Sequence, residues 1–493
     1  MTRLQSIVLV VVVCVGGIAW SVRITRQTYD FDEVQRAHSI WMTSQGLRPY
    51  EDFFECHPPY FALLAPLADG QSDPGRFLRT LRWVSAMGQL LFLAGLVAVT
   101  VASASTDRTT AMLGVALVAF HPDVVAFLSE FRIDGWGYAL ALWTIAWFLR
   151  SRGRWRHLGL GVGTGIATLL LCPKLALLPP MLVVLEQVEA RRSMAKALAA
   201  AATYAAGVCI AGGMYWVWLT ANGITMESAI AYLVTYHASS NFHAAFGYGL
   251  LGEIVARPAL SAPIAVAILL WLGGELRERL RPRALPAALA LWLVAQAGLV
   301  SYPWKQYYAP WFLFGSVFFP WLQAAARHVT RHAAIALGVS LGAASIAASV
   351  MTGYGYVGSR DARNLERFLR ILNAVSGPED RVVATPPFHP IFRRDTFYVW
   401  FNTLDPSGYE TEPIMDRIPL VSGRVSERTY RQELASHPPA IVVLSATTYP
   451  RRQEAVIREF IRERGYVEGT IGNVAVAVSR DHLQQFLENR ARP

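Results

Sequence analysis

The stretch Asp30-Phe31-Asp32-Glu33-Val34-Gln35-Arg36-Ala37-His38 continues through Gly46-Leu47-Arg48-Pro49-Tyr50-Glu51-Asp52-Phe53-Phe54-Glu55-Cys56-His57-Pro58-Pro59 and follows an apolar segment, residues 6–22. At 1.5 Å per residue that segment crosses most of a bilayer core. The acidic pair Asp32-Glu33 therefore stands at a membrane surface, beside a loop rich in Trp, Tyr, Arg and His. Carboxylates so placed point to chemistry on something the membrane carries.

The rest of the chain agrees with a membrane setting. Of 493 residues, 53% are hydrophobic and 16% charged, with mean hydropathy +0.31. A soluble domain carries about 25% charged residues. Fifteen Trp and nineteen Tyr fit the aromatic belts of membrane interfaces. Lys and Arg outnumber Asp and Glu by 45 − 35 = 10. In a soluble chain that excess would point to nucleic acid; here the arginines gather between apolar runs, so membrane topology accounts for them. Cys14, Cys56, Cys172 and Cys209 are widely spaced, without a CxxC or Cys/His zinc pattern, which argues against a disulfide framework. Arg3 is a thin positive region and no small-x-small site follows Trp20, so the first segment reads as an uncleaved span.

Apolar windows predict about eleven spans: 6–22, 82–104, 110–128, 133–149, 158–172, 174–189, 197–219, 258–275, 284–301, 307–326 and 333–351. Charge alternates along the links. Arg150, Arg152, Arg154 and Arg156 fill one, and Arg191, Arg192 and Lys196 the next. Arg277, Arg279, Arg281 and Arg283 follow, then Arg327 and Arg331. All fall on one side if the N-terminus is cytoplasmic, as the positive-inside rule requires. The links 129–132, 172–174 and 302–306 are short and nearly uncharged. Residues 158–189, broken at Cys172-Pro173-Lys174, read as two short helices, since a single span would put Arg191 and Arg192 outside. The first outer loop holds seven arginines from Arg23 to Arg82, but loops this long report orientation poorly.

The fold class expected is an α-helical polytopic membrane protein with a C-terminal extracytoplasmic α/β domain. Residues 1–351 would form the transmembrane domain, including the first extracytoplasmic loop, 23–81; residues 352–493 would form the extracytoplasmic α/β domain. In the loop, the pattern predicts a helix over 31–45, ended by Gly46, and a second helix after Pro58-Pro59. In the tail it predicts helices at 363–375 and 453–464, with strands at 381–384, 440–444 and 473–478. The chain has no nucleotide-phosphate loop, dinucleotide fingerprint or internal repeat.

Four outer sites carry ionisable groups. Asp32-Glu33 can take a proton from an attacking hydroxyl or hold a divalent metal, although Asp30-Phe31-Asp32-Glu33 also has capping-box spacing. Glu130-Phe131-Arg132-Ile133-Asp134 forms the turn between the third and fourth spans; an ion pair of Arg132 with Glu130 or Asp134 is the structural alternative there. Lys174 and Lys305 could each bind a phosphate as a point charge, or simply snorkel to the interface. Tyr307 and Tyr308 follow Lys305, and an aromatic belt is their plainer reading. His57 could ligate metal, contact phosphate or orient an acid; His237 and His243 are weaker candidates, and Cys56 reads as incidental.

Taken together, the acidic pair after the first span, a helix, and then Gly46-x-x-Pro49-Tyr50-x-Asp52-Phe53-Phe54-Glu55-x-His57-Pro58-Pro59 resemble the first periplasmic loop of C-type (GT-C fold) glycosyltransferases. The resemblance is to the bacterial branch similar to protein mannosyltransferases and aminoarabinose transferases. It covers roughly residues 1–330 in layout. Arg132-x-Asp134 resembles the second acidic element, Lys174 the basic residue between short spans, and Tyr307-Tyr308-x-Pro310 a late-span motif. What the resemblance implies is an inverting transfer from a polyprenyl-phosphate-linked sugar to a hydroxyl of a lipid, glycan or protein, at the periplasmic face of a bacterial inner membrane. Asp32 would be the general base, with Glu33 and Asp134 shaping the site. Arg132, Lys174 and Lys305 would hold the carrier phosphate, and His57, Tyr307 and Tyr308 the substrates. A divalent metal is a candidate cofactor, and nucleic acid is not an expected partner. Positions 57–59 read His-Pro-Pro where the lipid A aminoarabinose transferases have Lys-Pro-Pro, which weakens the case for a lipid A acceptor.

Two other classes compete. A flippase of a lipid-linked sugar should show inverted repeats and charges in mid-membrane, whereas these spans are almost free of charge. A non-catalytic subunit that keeps the fold and docks a partner through its tail would not depend on Asp32.

Overall fold

The computed structural model describes residues 3–53, 55–104, 108–235, 248–277, 283–300, 304–326, 362–384, 387–395, 403–404, 424–425, 427–444 and 451–490. The eleventh expected span, 333–351, and His237 and His243 lie outside these. The chain divides into two units. The first comprises Met1–Thr25, Arg82–Val217 and Asn241–Gly358; the second comprises Arg26–Leu81, Trp218–Ser240 and Ser359–Pro493.

The first unit is helical. Among the described residues, three helices are long and apolar enough to cross a bilayer, over Leu9–Arg26, Pro74–Ser103 and Met194–Ala221. A pair of helices, Gly249–Val255 and Pro258–Gly274, reaches that length and apolarity only when taken together, and is bent by 95° between them. Pro258 lacks the N–H that would carry the helix through the bend. The expected span 110–128 is interrupted in the same way: Arg108–Ala119 ends, His121 caps, and Pro122–Leu128 starts afresh with proline in its first turn. The 158–189 segment breaks at Cys172, whose backbone is extended (φ −151°), because a residue before proline is driven out of the helical region. A π-helical turn, Ala167–Leu171, precedes the break and Leu178–Glu189 follows it. The helices Trp155–Ile166 and Met194–Ala221 meet at Gly161 and Gly207. A Cβ on Gly161 would lie 2.3 Å from the Tyr204 carbonyl oxygen, so only glycine permits this backbone approach. Buried Leu, Val, Phe and Trp from these helices form one continuous core.

The second unit joins three segments distant in sequence. The loop helix Phe31–Ser44 packs on the tail through Trp41, which meets Phe392, and Phe77, from the start of the helix Pro74–Ala104, meets the same ring. Tyr29 donates to Glu366 at 2.7 Å, and Arg79 pairs with the same carboxylate. Arg48 donates to the Gly223 carbonyl at 3.0 Å, while Glu51 accepts from the Thr225 N–H at 2.9 Å. The tail contributes a sheet in the order Val382–Val383, Ile441–Val443, Val474–Val478, Val467–Ile471. The first two strands are parallel and the others antiparallel. The amphipathic helix Arg451–Arg464 covers it with Val456, Ile457, Phe460 and Ile461.

Candidate functional site

In the second unit, local sequence builds the first half of the site. Asp30 caps the helix Phe31–Ser44, and the Glu33 carboxylate reaches back to accept the Asp30 N–H at 2.8 Å. This reciprocal pairing closes the capping box and aims the helix. Glu33 is fully buried, and the cap gives its carboxylate a structural task. Asp32, one residue earlier, keeps 19% of its side chain exposed and meets the Arg36 guanidinium at 3.3 Å, one turn on.

His57 is held by a residue the sequence reading passed over. Glu55 is wholly buried and pairs with His57 Nδ1 at 2.7 Å. It also accepts the N–H groups of Cys56 and His57 at 3.0 Å each, and the Ser39 hydroxyl at 2.5 Å. Burial alone would raise the Glu55 carboxyl; the charge and hydrogen bond of His57, with the Ser39 hydroxyl, outweigh it and hold the group below its usual range. Tyr50 completes the turn. It adopts φ 68°, rare for an aromatic residue, and its hydroxyl donates to the His57 carbonyl at 2.5 Å.

Glu55, Cys56 and His57 bring a carboxylate, a sulfur and an imidazole nitrogen within 4.8 Å of one another. They do not fit a divalent cation. The Glu55 oxygens and His57 Nδ1 already face each other and the turn's N–H groups. Burial, then the charges of Glu55 and Asp32, push the Cys56 thiol well above its usual range.

In the first unit, the turn before the helix Asp134–Arg150 gathers the predicted cations. Ser85 pins it, its hydroxyl lying 3.0 Å from the Glu130 carbonyl and accepting the Arg132 N–H at 2.9 Å. Arg132 is 1% exposed and donates through Nε to Glu130 at 3.0 Å. Lys305 pairs with the same carboxylate. The structural alternative for Arg132, an ion pair with Glu130 that anchors the turn, is therefore realised. Lys174 donates to Asp134 at 3.1 Å and lies 4.6 Å from the centre of the Tyr307 ring. A small pocket opens here, lined by Tyr138, Lys174, Trp292, Gln296, Gln306 and Tyr307 among others.

Tyr308 points elsewhere. Successive residues on a helix lie about 100° apart, and the Tyr308 ring stacks under the Arg257 guanidinium at 4.0 Å. Arg257 also pairs with Asp123 at 3.0 Å and with Glu253. This network was not legible in the sequence, because Asp123, Glu253 and Tyr308 come from three separate helices and Arg257 from the break between the helices Tyr248–Val255 and Pro258–Arg277. Asp32, Glu33 and His57 thus belong to one unit, and Arg132, Asp134, Lys174, Lys305, Tyr307 and Tyr308 to the other.

No protein-family model matches the chain, and no curated protein matches it in sequence. Solved structures do. The chain is similar to ArnT, an aminoarabinose transferase, from Cupriavidus metallidurans in the apo state, with TM-score 0.63 and 12% identity over 98% of both chains. It is equally similar to the same protein bound to undecaprenyl phosphate, with TM-score 0.62 and 13% identity over 95% of this chain and 97% of that one. At such identity the likeness speaks for the fold alone.

Proposed function

Because the chain has the GT-C fold, we propose that it is an inverting glycosyltransferase of the bacterial inner membrane. It would move a sugar from a polyprenyl-phosphate carrier to a hydroxyl at the periplasmic face. The observation that carries this reading is the match over nearly the whole chain to a transferase solved with undecaprenyl phosphate. The sites add chemical support: a partly exposed carboxylate on the loop helix, and two partly exposed lysines at the ends of apolar helices.

In this reading the acceptor hydroxyl attacks the anomeric carbon from the face opposite the phosphate. The new C–O bond forms as the bond to the carrier oxygen breaks, which inverts the centre. Asp32 takes the hydroxyl proton, and the carrier leaves as polyprenyl phosphate. Negative charge grows on that phosphate, where preorganised cations are worth several kcal/mol; this reading assigns that role to Lys174 and Lys305, both partly exposed. Arg132 backs them from within the turn. Glu33 aims the helix that carries Asp32, Asp134 orients Lys174, and His57, Tyr307 and Tyr308 shape the surroundings.

The outer face is supported by the sequence: with the arginine-rich links inside, as the positive-inside rule requires, the loop and the tail would lie outside, and the structure groups loop, 218–240 segment and tail in one unit. Purified protein supplied with a labelled polyprenyl-phosphate sugar and envelope acceptors tests the reading. Asp32→Asn should fold and bind carrier yet lose transfer by about 10²–10⁴-fold. Full activity in that variant removes Asp32 from the mechanism, and a wild-type protein that moves carrier across liposomes without forming glycosidic bonds refutes the transferase reading.

A further inference from the structure

Glu130 has no role in the transfer described above, yet it is the most completely enclosed acid of the turn. Its side chain is 0% exposed, and its two oxygens face different cations: Oε2 receives Arg132 Nε at 3.0 Å and Oε1 meets Lys305 Nζ. The two cations differ in reach. Arg132 is 1% exposed and Lys305 29%, so only the lysine can meet a ligand without the turn unfolding.

Lys305 also sits where a lysine is ordinarily unwelcome. It is the first residue of the helix Lys305–Gly315, and the positive end of the helix dipole repels a cation there. The buried carboxylate offsets that repulsion; Arg132 holds the carboxylate, and Ser85 pins the backbone of the turn that carries both. We propose that Glu130 is a positioning residue: it presents the Lys305 ammonium at a fixed point to the anionic phosphate of the carrier, with Arg132 as rigid backing that does not itself touch ligand. This rests on the glycosyltransferase reading.

The test measures binding of undecaprenyl phosphate to the full chain in detergent, together with donor KM and kcat. Lys305→Gln should weaken carrier binding about tenfold or more, as loss of a charge-assisted contact does. Glu130→Gln should weaken it by about tenfold, because the released lysine regains its rotamer freedom. The double variant should bind no worse than the weaker single one, and donor KM should move more than kcat. If Glu130→Gln fails to fold because Arg132 loses its counter-ion, Glu130→Gln with Arg132→Met removes both buried charges at similar volume and should show the same loss of binding. A folded variant that binds carrier as wild type does, or effects that simply add to those of Lys305→Gln, overturns the inference. A wild-type protein that binds no carrier instead overturns the glycosyltransferase reading on which it rests.

Discussion

The Asp32 carboxylate lies 3.3 Å from the Arg36 guanidinium, one turn along the same helix. Arg36 is 5% exposed at its side chain, so it moves little and holds the acid at a defined angle. Arg36→Gln should lower kcat by about 10–100-fold, the cost of a base displaced by a fraction of an ångström. Carrier binding should stay as in wild type. Steady-state kinetics beside a direct binding measurement separate the two, and an unchanged kcat would sink the idea.

Glu33 and its neighbour should separate on mutation. Glu33→Gln keeps an acceptor for the Asp30 N–H, so transfer should remain within about tenfold of wild type. Asp30→Ala, which removes the cap itself, should cost about 1 kcal/mol of stability. Thermal unfolding and the transfer assay on both variants check this; loss of transfer in Glu33→Gln without loss of stability would restore Glu33 to the chemistry.

Lys174 is held by Asp134 and the Tyr307 ring. Lys174→Met should reduce kcat/KM for the donor by about 10²-fold, the effect of one missing cation at a leaving group. Lys174→Arg should recover part of it. Comparable activity in the Met variant would assign Lys174 to snorkelling.

The seam between loop and tail should be acid-sensitive. His38 donates from Nδ1 to the Ile391 carbonyl at 2.6 Å, and the His389 ring stands edge-on at 4.5 Å. Burial, with Arg393 nearby, lowers His38 from its usual 6.5 to about 4; burial, His38 and Arg393 also push His389 well down. A histidine whose folded pKa is depressed contributes stability that is present above its unfolded pKa. That contribution is lost as pH falls from 6.5 toward 4, and for His38 it is on the order of 3 kcal/mol. Glu55, held low beside it, acts in the same direction below its own usual range. The melting temperature should therefore fall across this window, and His38→Gln should flatten the fall. An equally steep profile in the variant would place the acid sensitivity elsewhere.

Much of this protein is written locally. The capping box at Asp30–Glu33 and the stop at Gly46 (φ 83°) depend on contacts three or four residues apart, and helix geometry makes those spacings readable. Prolines at 122, 173 and 258 mark interruptions for a reason contained in one residue; the broken span 110–128 was missed because its apolar run hid Pro122. The position of Asp32 and the alternation of charged links are likewise properties of order along the chain.

Partner choice was decided in three dimensions. Arg132 had two acids within two residues, and the sequence could not say that it would take Glu130 while Lys174, forty residues on, took Asp134. Glu55 looked like one letter of a motif until burial left it the centre of the His57 turn. The loop, the 218–240 segment and the tail came together as one unit, with no period in the sequence to announce it. Local geometry follows from bonded chemistry and repeats every few residues. Long-range pairing follows from which surfaces exclude water together, and only the folded chain settles that.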